Sequence, residues 1–362
     1  MLGVSEQITV GVGAGAQYLG VDRVIDLGPL HPSAHGAYRL RLTVTPDLVI
    51  TAATPLVGHL HRGAEKLFEV RDYRQVLTLA NRHDWLAAFC NELAVALAVE
   101  RMTGMDVPAR AQWLRALLCE LNRLMAHMVF LTPLSPAAAT YREGVQALME
   151  EASGGRIHFM FNRIGGLRED VPAGWTGRVA AFLSTVEPLD VDLSALEGLG
   201  VLPLADALTY GVTGPIGRAS GVDLDLRRDD PLPAYRSLEL TPVVRTEGDA
   251  AARIRCLLDE VRLSVTLARS FVDDLPSGPV NVRLPKAIKA PEGSVYTRVE
   301  APLGTSGVHL SSRGEKTPWR LKLRTPSFNN VQALSALLPG TPVDDLPAVL
   351  SSFAVIVGDI DK

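Results

Sequence analysis

The feature that most constrains this 362-residue chain is residues 84–102, a stretch that is almost continuously apolar. A helix that is apolar on every face lies buried inside a larger assembly. We therefore expect a buried helix that ends at Gly104. A second helix is expected from Pro108, with Asp106 as its cap, because Leu and Met recur along one face until Pro133. Two long apolar helices joined by a short turn predict an antiparallel hairpin, the start of a helical bundle.

Strand patterns lie on both sides of this helical part. Residues 38–44 alternate between apolar and polar side chains, and residues 48–53 form the expected return strand. Further alternating stretches occur near the C-terminus. The sequence thus predicts an α+β fold, a buried helical bundle with small antiparallel sheets from the N- and C-terminal segments. We expect one continuous structural unit made of an N-terminal β segment, a helical core, and a C-terminal β segment with a tail, at residues 1–56, 57–290 and 291–362.

Composition excludes several classes of protein. The 36 basic and 40 acidic residues give a net charge of −4 with no basic face, which argues against nucleic-acid binding. Cys90, Cys119 and Cys256 are far apart, so we expect no disulfide framework, zinc finger or iron–sulfur cluster held by this chain, and a reducing, cytoplasmic environment. The most apolar part of the chain, residues 85–99, is interrupted by Asn91 and Glu92 and is shorter than the roughly 20 residues of a membrane-spanning helix.

The histidines concentrate near the N-terminus. His59 and His61 flank Leu60, and on a strand both imidazoles would lie on one face and could form half of a metal site. No Cys or carboxylate with metal-ligand spacing stands beside them, so polar residues at the rim of an interface are the favoured interpretation. The glycines of residues 11–15 lack the spacing of a dinucleotide-binding loop, and we expect no direct binding of NAD or ATP by this chain.

A second histidine-containing segment is residues 31–36, with the sequence HPSAHG. Pro32 favours an extended conformation at His31, and Gly36 permits a sharp turn directly after His35. A histidine on such a turn could reach into a cleft and donate a proton near neutral pH. The alternative, a loop histidine with a purely structural hydrogen bond, remains open at this point.

The segment GPLHPSAHG, residues 28–36, resembles the family of the forty-nine-kilodalton subunit of complex I, also called the D-type subunit of NADH–quinone oxidoreductase. Further blocks match the same family in the same order and cover nearly the whole chain, with departures typical of a divergent bacterial paralogue. These blocks are residues 58–67, 91–94, 97–100, 107–111, 120–123, 163–166, 213–215, 218–223, 225–228, 300–302 and 325–328.

The resemblance extends more distantly to the large subunit of nickel–iron hydrogenases and implies a similar fold. Those proteins hold their metal with two CxxC pairs. In this chain the corresponding positions are Asp84, Ala87 and residues 354–357, and none is a cysteine. Without thiolates at these positions a nickel–iron site cannot form, so we expect no metal and no cofactor bound by this chain.

The resemblance implies a quinone-reduction cavity shared with a smaller partner subunit that carries the terminal iron–sulfur cluster. His35 matches the histidine that binds one quinone carbonyl and is the candidate catalytic residue. Trp85 stands where the family has the tyrosine that binds the other carbonyl. Arg62 and His158 match residues near the partner's cluster, where a positive charge raises the reduction potential.

Three positions depart from the family pattern. Trp85 has one N–H donor but no proton to release at accessible pH, so it could bind a carbonyl and not protonate it. Residues 130–139 are shortened and contain no acid where the family has a supporting aspartate. The usual Asp-Pro near the C-terminus is Ala354-Val355.

Two interpretations follow. In the first, the chain is a subunit of a membrane-associated, proton-translocating NADH–quinone oxidoreductase, peripheral on the cytoplasmic side of the cell membrane and inactive when isolated. Its substrate would be a quinone, menaquinone or ubiquinone. Its partners would be the cluster-bearing small subunit, the thirty-kilodalton-type subunit and the membrane arm. In the second, the chain is a structural paralogue in a membrane-bound redox complex and has no quinone chemistry.

Overall fold

The order of strands and helices comes from a computed structural model that describes residues 6–12, 23–26, 36 and 38–362. The strands are β1 Glu6–Val12, β2 Arg23–Asp26, β3 Tyr38–Val44, β4 Ile50–Leu56, β5 Asn162–Arg163, β6 Gly166–Leu167, β7 Gly293–Ala301, β8 Gly304–Ser312 and β9 Arg320–Arg324. The α-helices are α1 Ala64–Phe68, α2 Tyr73–Ala80, α3 Ala88–Thr103, α4 Ala109–Leu131, α5 Pro136–Ser153, α6 Trp175–Leu183, α7 Leu204–Thr209, α8 Gly214–Ala219, α9 Leu226–Asp229, α10 Ala250–Asp273, α11 Pro326–Gln332, α12 Leu334–Leu337, α13 Leu346–Ser351 and α14 Val357–Asp361.

Helices α3 and α4 form the predicted hairpin, and both are buried on nearly every face. Helix α3 begins later than the apolar stretch, because the Asp84 carboxylate accepts hydrogen bonds from the backbone N–H groups of Leu86 and Ala87 and holds a turn there. Gly104, with φ +63°, ends the helix as predicted. The prediction of Asp106 as the cap of α4 is wrong, since Pro108 occupies the N-cap position and its backbone turns directly into the helix.

Two sheets frame the helices. The N-terminal sheet has the order β2-β1-β3-β4, in which β1 and β2 are parallel and the other pairs antiparallel. The C-terminal sheet is antiparallel, with the order β7-β8-β9. The alternation in residues 38–44 is confirmed, because the side chains of Tyr38, Leu40, Leu42 and Val44 are buried. The predicted α+β class with small sheets from both ends of the chain is confirmed.

The apolar interior has two main parts. The larger one joins α3, α4, α5 and α10 to the C-terminal sheet. The second packs the N-terminal sheet against the C-terminal helices, so that Leu40 and Leu42 share one cluster with Leu334 and Val349. The two ends of the chain are thereby fixed beside each other. No helix in the described part of the chain is long and apolar enough to cross a bilayer.

A buried ionic network crosses the helical core. Glu260 on α10 pairs with Arg218 at 2.8 Å and with Arg227 at 2.7 Å. Arg218 also pairs with Glu300 of β7 at 2.7 Å, and Arg227 reaches Glu120 of α4 at 3.3 Å. All these side chains are almost completely buried. Because a buried charge that loses its partner is costly, this network fixes how α4, α8, α9, α10 and β7 meet.

Candidate functional site: the Trp85 cavity and the Arg62–His158 surface

Trp85 lies in the turn before α3, half-buried and against the C-terminal segment. A Cβ at Gly358 would come within 2.6 Å of the Trp85 ring and 2.4 Å of the His83 carbonyl oxygen, so only glycine permits this contact. The structure therefore brings residues 83–85 and the start of α14 together. These are the two regions that contain the positions matched to the metal-binding pairs of hydrogenases.

Gly36 provides a second contact with the same C-terminal segment. Its φ is +103°, and a Cβ there would lie 2.6 Å from the Cβ of Val357 and 3.3 Å from the Leu60 side chain. His35, the candidate catalytic residue, directly precedes Gly36 but lies outside the described residues, as does His31. Of the two residues predicted to bind quinone, the structure describes Trp85 alone.

A cavity of about 310 Å³ opens beside Trp85, at the lower end of the size range of small-molecule sites. Its walls are mostly apolar, and Arg142, Gln146 and the Trp85 indole are the lining side chains that carry N–H groups. None of the described residues that line it is acidic, which agrees with the acid-free segment noted in the sequence. The other lining residues are Leu86, Met125, Val129, Thr132 and Ile157.

Arg62 and His158 meet at one short loop, although they are far apart in sequence. Arg62 Nη2 donates to the carbonyl oxygen of Arg82 at 3.1 Å, and His158 Nδ1 lies 3.1 Å from the carbonyl oxygen of Asn81. Since a carbonyl only accepts, that bond places the imidazole proton on Nδ1 and leaves Nε2 as an acceptor. Burial, and then the positive charge of Arg82, lower the pKa of His158. We refer to Arg62, Arg82 and His158 as the cationic surface.

Glu92, which interrupts the apolar residues of α3, holds this arrangement in place. Its carboxylate accepts a hydrogen bond from Asn81 Nδ2 at 2.8 Å and from the backbone N–H groups of residues 160–162 at 2.6, 3.1 and 3.1 Å. Met160 adopts φ +47°, a left-handed conformation that a non-glycine residue keeps only when its surroundings enforce it. Burial raises the pKa of Glu92, although the four hydrogen bonds act in the opposite direction.

The sequence already indicates that the Glu92 carboxylate needs hydrogen-bond donors in the interior. A carboxylate in an otherwise apolar helix must find donors in the interior, because burial of an unpaired charge is prohibitive. The identity of those donors required the fold, since residues 160–162 come from a distant loop.

Comparison with known proteins identifies the family. The model of the respiratory-chain NADH dehydrogenase 49 kDa subunit matches residues 130–289 and 283–362. The chain is 55% identical to an NADH-quinone oxidoreductase D-type subunit of Salinispora arenicola, with 98% of each chain covered. The chain belongs to the 49 kDa subunit family of respiratory-chain NADH dehydrogenases. It is also 52% identical to an NADH-quinone oxidoreductase D-type subunit of Streptomyces coelicolor, over 98% of this chain and 99% of the relative.

A solved structure supports the same assignment. The chain superimposes with a TM-score of 0.85 and 32% identity on a chain of the membrane-bound sulfane sulfur reductase, an archaeal respiratory membrane complex. The superposition covers 93% of this chain and 97% of that one. The recognition of this family from short sequence blocks is thus confirmed, and the family fold extends over nearly the entire chain.

His59 and His61 lie at a turn and not on a strand. His61 Nδ1 lies 2.7 Å from the backbone oxygen of Asp361, and the side chain of His59 is exposed. Among the residues that the structure describes, no group of three or more His, Cys, Asp or Glu side chains is arranged to hold a metal ion. The three cysteines, Cys90, Cys119 and Cys256, are buried and free.

Proposed function

We propose that this chain is the subunit of a membrane-associated NADH–quinone oxidoreductase that forms one wall of the quinone-reduction cavity. The observation that carries the proposal is the position of Trp85. It borders a mostly apolar cavity and contacts the same C-terminal segment that packs on Gly36, the residue after His35. A quinone head group is a flat, largely apolar ring with two acceptor oxygens, so a site for it needs apolar walls and a few donors.

Trp85 and His35 are the proposed ligands of the two quinone carbonyls. The indole N–H donates one hydrogen bond but supplies no proton. His35 is therefore the proposed proton donor, because imidazole exchanges protons near neutral pH. Conversion of a quinone to a quinol consumes two electrons and two protons, and the electrons must come from outside this chain.

The cationic surface is the proposed contact with the subunit that carries the iron–sulfur cluster. A fixed positive charge at Arg62 favours the reduced, more negative cluster and raises its potential. A neutral His158 with a free Nε2 takes up a proton more readily when negative charge arrives nearby, which couples reduction to protonation. The exposed positions of Arg62 and Arg82 are consistent with a partner at this face.

The surrounding assembly follows from the same proposal. The chain would be peripheral on the cytoplasmic side of the cell membrane and would contact the small cluster-bearing subunit, the thirty-kilodalton-type subunit and the membrane arm. It would bind no cofactor itself, use menaquinone or ubiquinone as substrate, and be inactive when isolated. We also propose that residues 1–56, 57–290 and 291–362 act as one structural unit, because the N-terminal sheet packs against the C-terminal helices.

A second candidate function is that of a structural subunit without quinone chemistry. Two points favour it: Trp85 stands where the family resemblance implies a tyrosine, and no acid lines the described part of the cavity. Both interpretations predict assembly into a redox complex, and they differ only in whether quinone turnover depends on this cavity.

The experiment that separates the two candidates is quinone-dependent turnover of the purified complex. His35→Ala should reduce the rate about 10²-fold or more, the effect of losing one positioned proton donor. Trp85→Tyr should raise the rate, because it adds a hydroxyl group beside the cavity. His309→Ala, at an exposed histidine, and Trp113→Tyr, at another half-buried tryptophan, are matched controls that should leave the rate unchanged. An unchanged rate in His35→Ala would refute the catalytic proposal.

A further inference from the structure

A cluster of three buried ionisable side chains lies directly behind Trp85. His83, Asp84 and Asp359 are 2%, 1% and 1% exposed. His83 and Asp84 precede Trp85 in the chain, and Asp359 follows Gly358, whose backbone rests on the Trp85 ring. None of the three belongs to the ionic network of the helical core. Their burial beside the proposed quinone site calls for a physical explanation.

The polar atoms of this cluster are poorly satisfied. His83 Nε2 lies 3.5 Å from Asp359 Oδ1, beyond a good hydrogen bond. Neither ring nitrogen of His83 has a hydrogen-bond partner of good geometry, and Oδ1 of Asp359 has none either. Oδ2 of Asp359, in contrast, accepts a hydrogen bond from the backbone N–H of Ser327 at 2.9 Å. Each buried polar atom left unpaired is costly, and such groups concentrate at functional sites.

Burial, more than the nearby charges, keeps the ring of His83 neutral. Burial lowers the pKa of His83 to about 3, and the positive charges of Lys362 and Arg62 act in the same direction. A neutral imidazole keeps one N–H, which it can direct at a carboxylate. His83 is therefore neutral at neutral pH and does not form an ion pair with Asp359.

The pKa of Asp359 lies closer to neutral pH than that of His83. Burial raises the pKa of Asp359 to about 6, while the Ser327 hydrogen bonds and the charges of Lys362 and Arg324 oppose this shift. Asp84 is the other acid that faces it, and burial followed by the charge of Asp359 raises the pKa of Asp84 well above its usual value. Because the charge of Asp359 opposes ionisation of Asp84, the two carboxyl groups do not both ionise readily, and the cluster retains a proton that an exposed aspartate would have lost.

We propose that Asp359, supported by His83, stores one of the two protons consumed when quinone is reduced beside Trp85. The inference rests on the proposed function. Asp359 is not among the described residues that line the cavity, and it lies behind Trp85. It therefore acts as a proton store and a positioning residue and does not contact the quinone itself.

Reduction of the quinone to a quinol consumes two electrons and two protons. Two electrons pass from the partner's iron–sulfur centre to the quinone, and its two oxygens each gain a proton. One proton comes from the carboxyl O–H of Asp359, which breaks to leave a carboxylate, and the other comes from His35. The N–H of His83 stabilises the new carboxylate until a proton from solvent restores the acid.

The test is the pH dependence of quinone turnover in the purified complex, with decylubiquinone as the probe. The wild-type rate should fall as pH rises above about 6, because the proton store must be filled. Asp359→Asn should lower the rate at acidic pH, about 10²-fold if its loss matches that of a general acid, and should weaken this decline, because His35 remains as the other proton donor. Asp361→Asn, an acid on the same helix whose carboxylate binds the backbone of Gly58 and Leu60, is the matched control and should keep the wild-type pH profile.

His83→Leu provides an independent variant. Removal of the N–H donor destabilises the carboxylate, so the pKa of Asp359 should rise and the decline should move to higher pH. Infrared difference spectra should show a protonated carboxyl band that is lost on reduction with quinone present and is absent in Asp359→Asn. The proposal is overturned if Asp359→Asn keeps the wild-type pH profile or the same carboxyl band, while turnover itself persists. A wild-type complex without quinone turnover at any pH would instead refute the proposed function, and the proton store with it.

Discussion

Substitution of Glu92 by glutamine tests how the cationic surface is held in place. Each carboxylate oxygen of Glu92 accepts two hydrogen bonds, Oε1 from Asn81 and Met160 and Oε2 from Phe161 and Asn162. Glutamine keeps one oxygen and places an NH₂ group where the other stood, so two of the four donors lose their acceptor. A buried donor without an acceptor costs about 1–3 kcal/mol, which gives about 2–6 kcal/mol for two.

Hydrogen exchange of the assembled complex, measured by mass spectrometry, reports this loss of stability at individual backbone amides. Because about 1.4 kcal/mol corresponds to a tenfold change, at least one amide among residues 160–162 should exchange about 30-fold to 10⁴-fold faster in Glu92→Gln. Glu150→Gln is the matched control, since Glu150 forms an exposed ion pair with Arg156 in the same region, and such pairs contribute only about 0–1 kcal/mol. Unchanged exchange of residues 160–162 in Glu92→Gln would refute the role assigned to Glu92.

Two further predictions concern stability. Gly358→Ala would place a methyl group 2.4 Å from the His83 carbonyl oxygen and 2.6 Å from the Trp85 ring. We therefore expect about 1–3 kcal/mol of destabilisation and a lower thermal midpoint of the complex. An unchanged midpoint would contradict this packing. Burial opposes ionisation of Glu260, but Arg227 and a second arginine outweigh it and lower its pKa from 4.5 to about 2. Ionised Glu260 thus contributes about 3 kcal/mol to stability above pH 4.5, and this contribution is lost as the pH falls toward 2. Glu260→Gln should therefore be less stable than the wild type at pH 7 and should lose less stability between pH 4.5 and 2 in acid unfolding. An equal loss of stability in variant and wild type over that interval would argue against the network.

The helical core could be predicted because its pattern is local. The apolar stretch that becomes α3 and the turn at Gly104 follow from residue type and spacing alone. The start of α3 could not be predicted in the same way, because it depends on where the Asp84 carboxylate finds its N–H donors. Asp106 failed as a cap for a related reason, since Pro108 already supplies the backbone conformation that begins α4.

The candidate site shows a similar division. Family resemblance selected Arg62, His158 and Trp85, but their spatial relation depends on long-range contacts. Arg62 and His158 meet because they bind the carbonyl oxygens of two neighbouring residues, and no periodicity in the sequence encodes that. The proximity of His83 to Asp359 links two distant parts of the chain and could be recognised only once α14 was seen to pack on Trp85.

The central claim is that quinone binds in the cavity beside Trp85, and photoaffinity labelling of the purified complex tests it most directly. A quinone analogue with a photoreactive head group should label peptides that contain Trp85, Met125, Gln146 or Ile157, which line the cavity. An excess of unmodified quinone should suppress that labelling. Label found only on other subunits, or label on this chain that unmodified quinone does not displace, would contradict the claim.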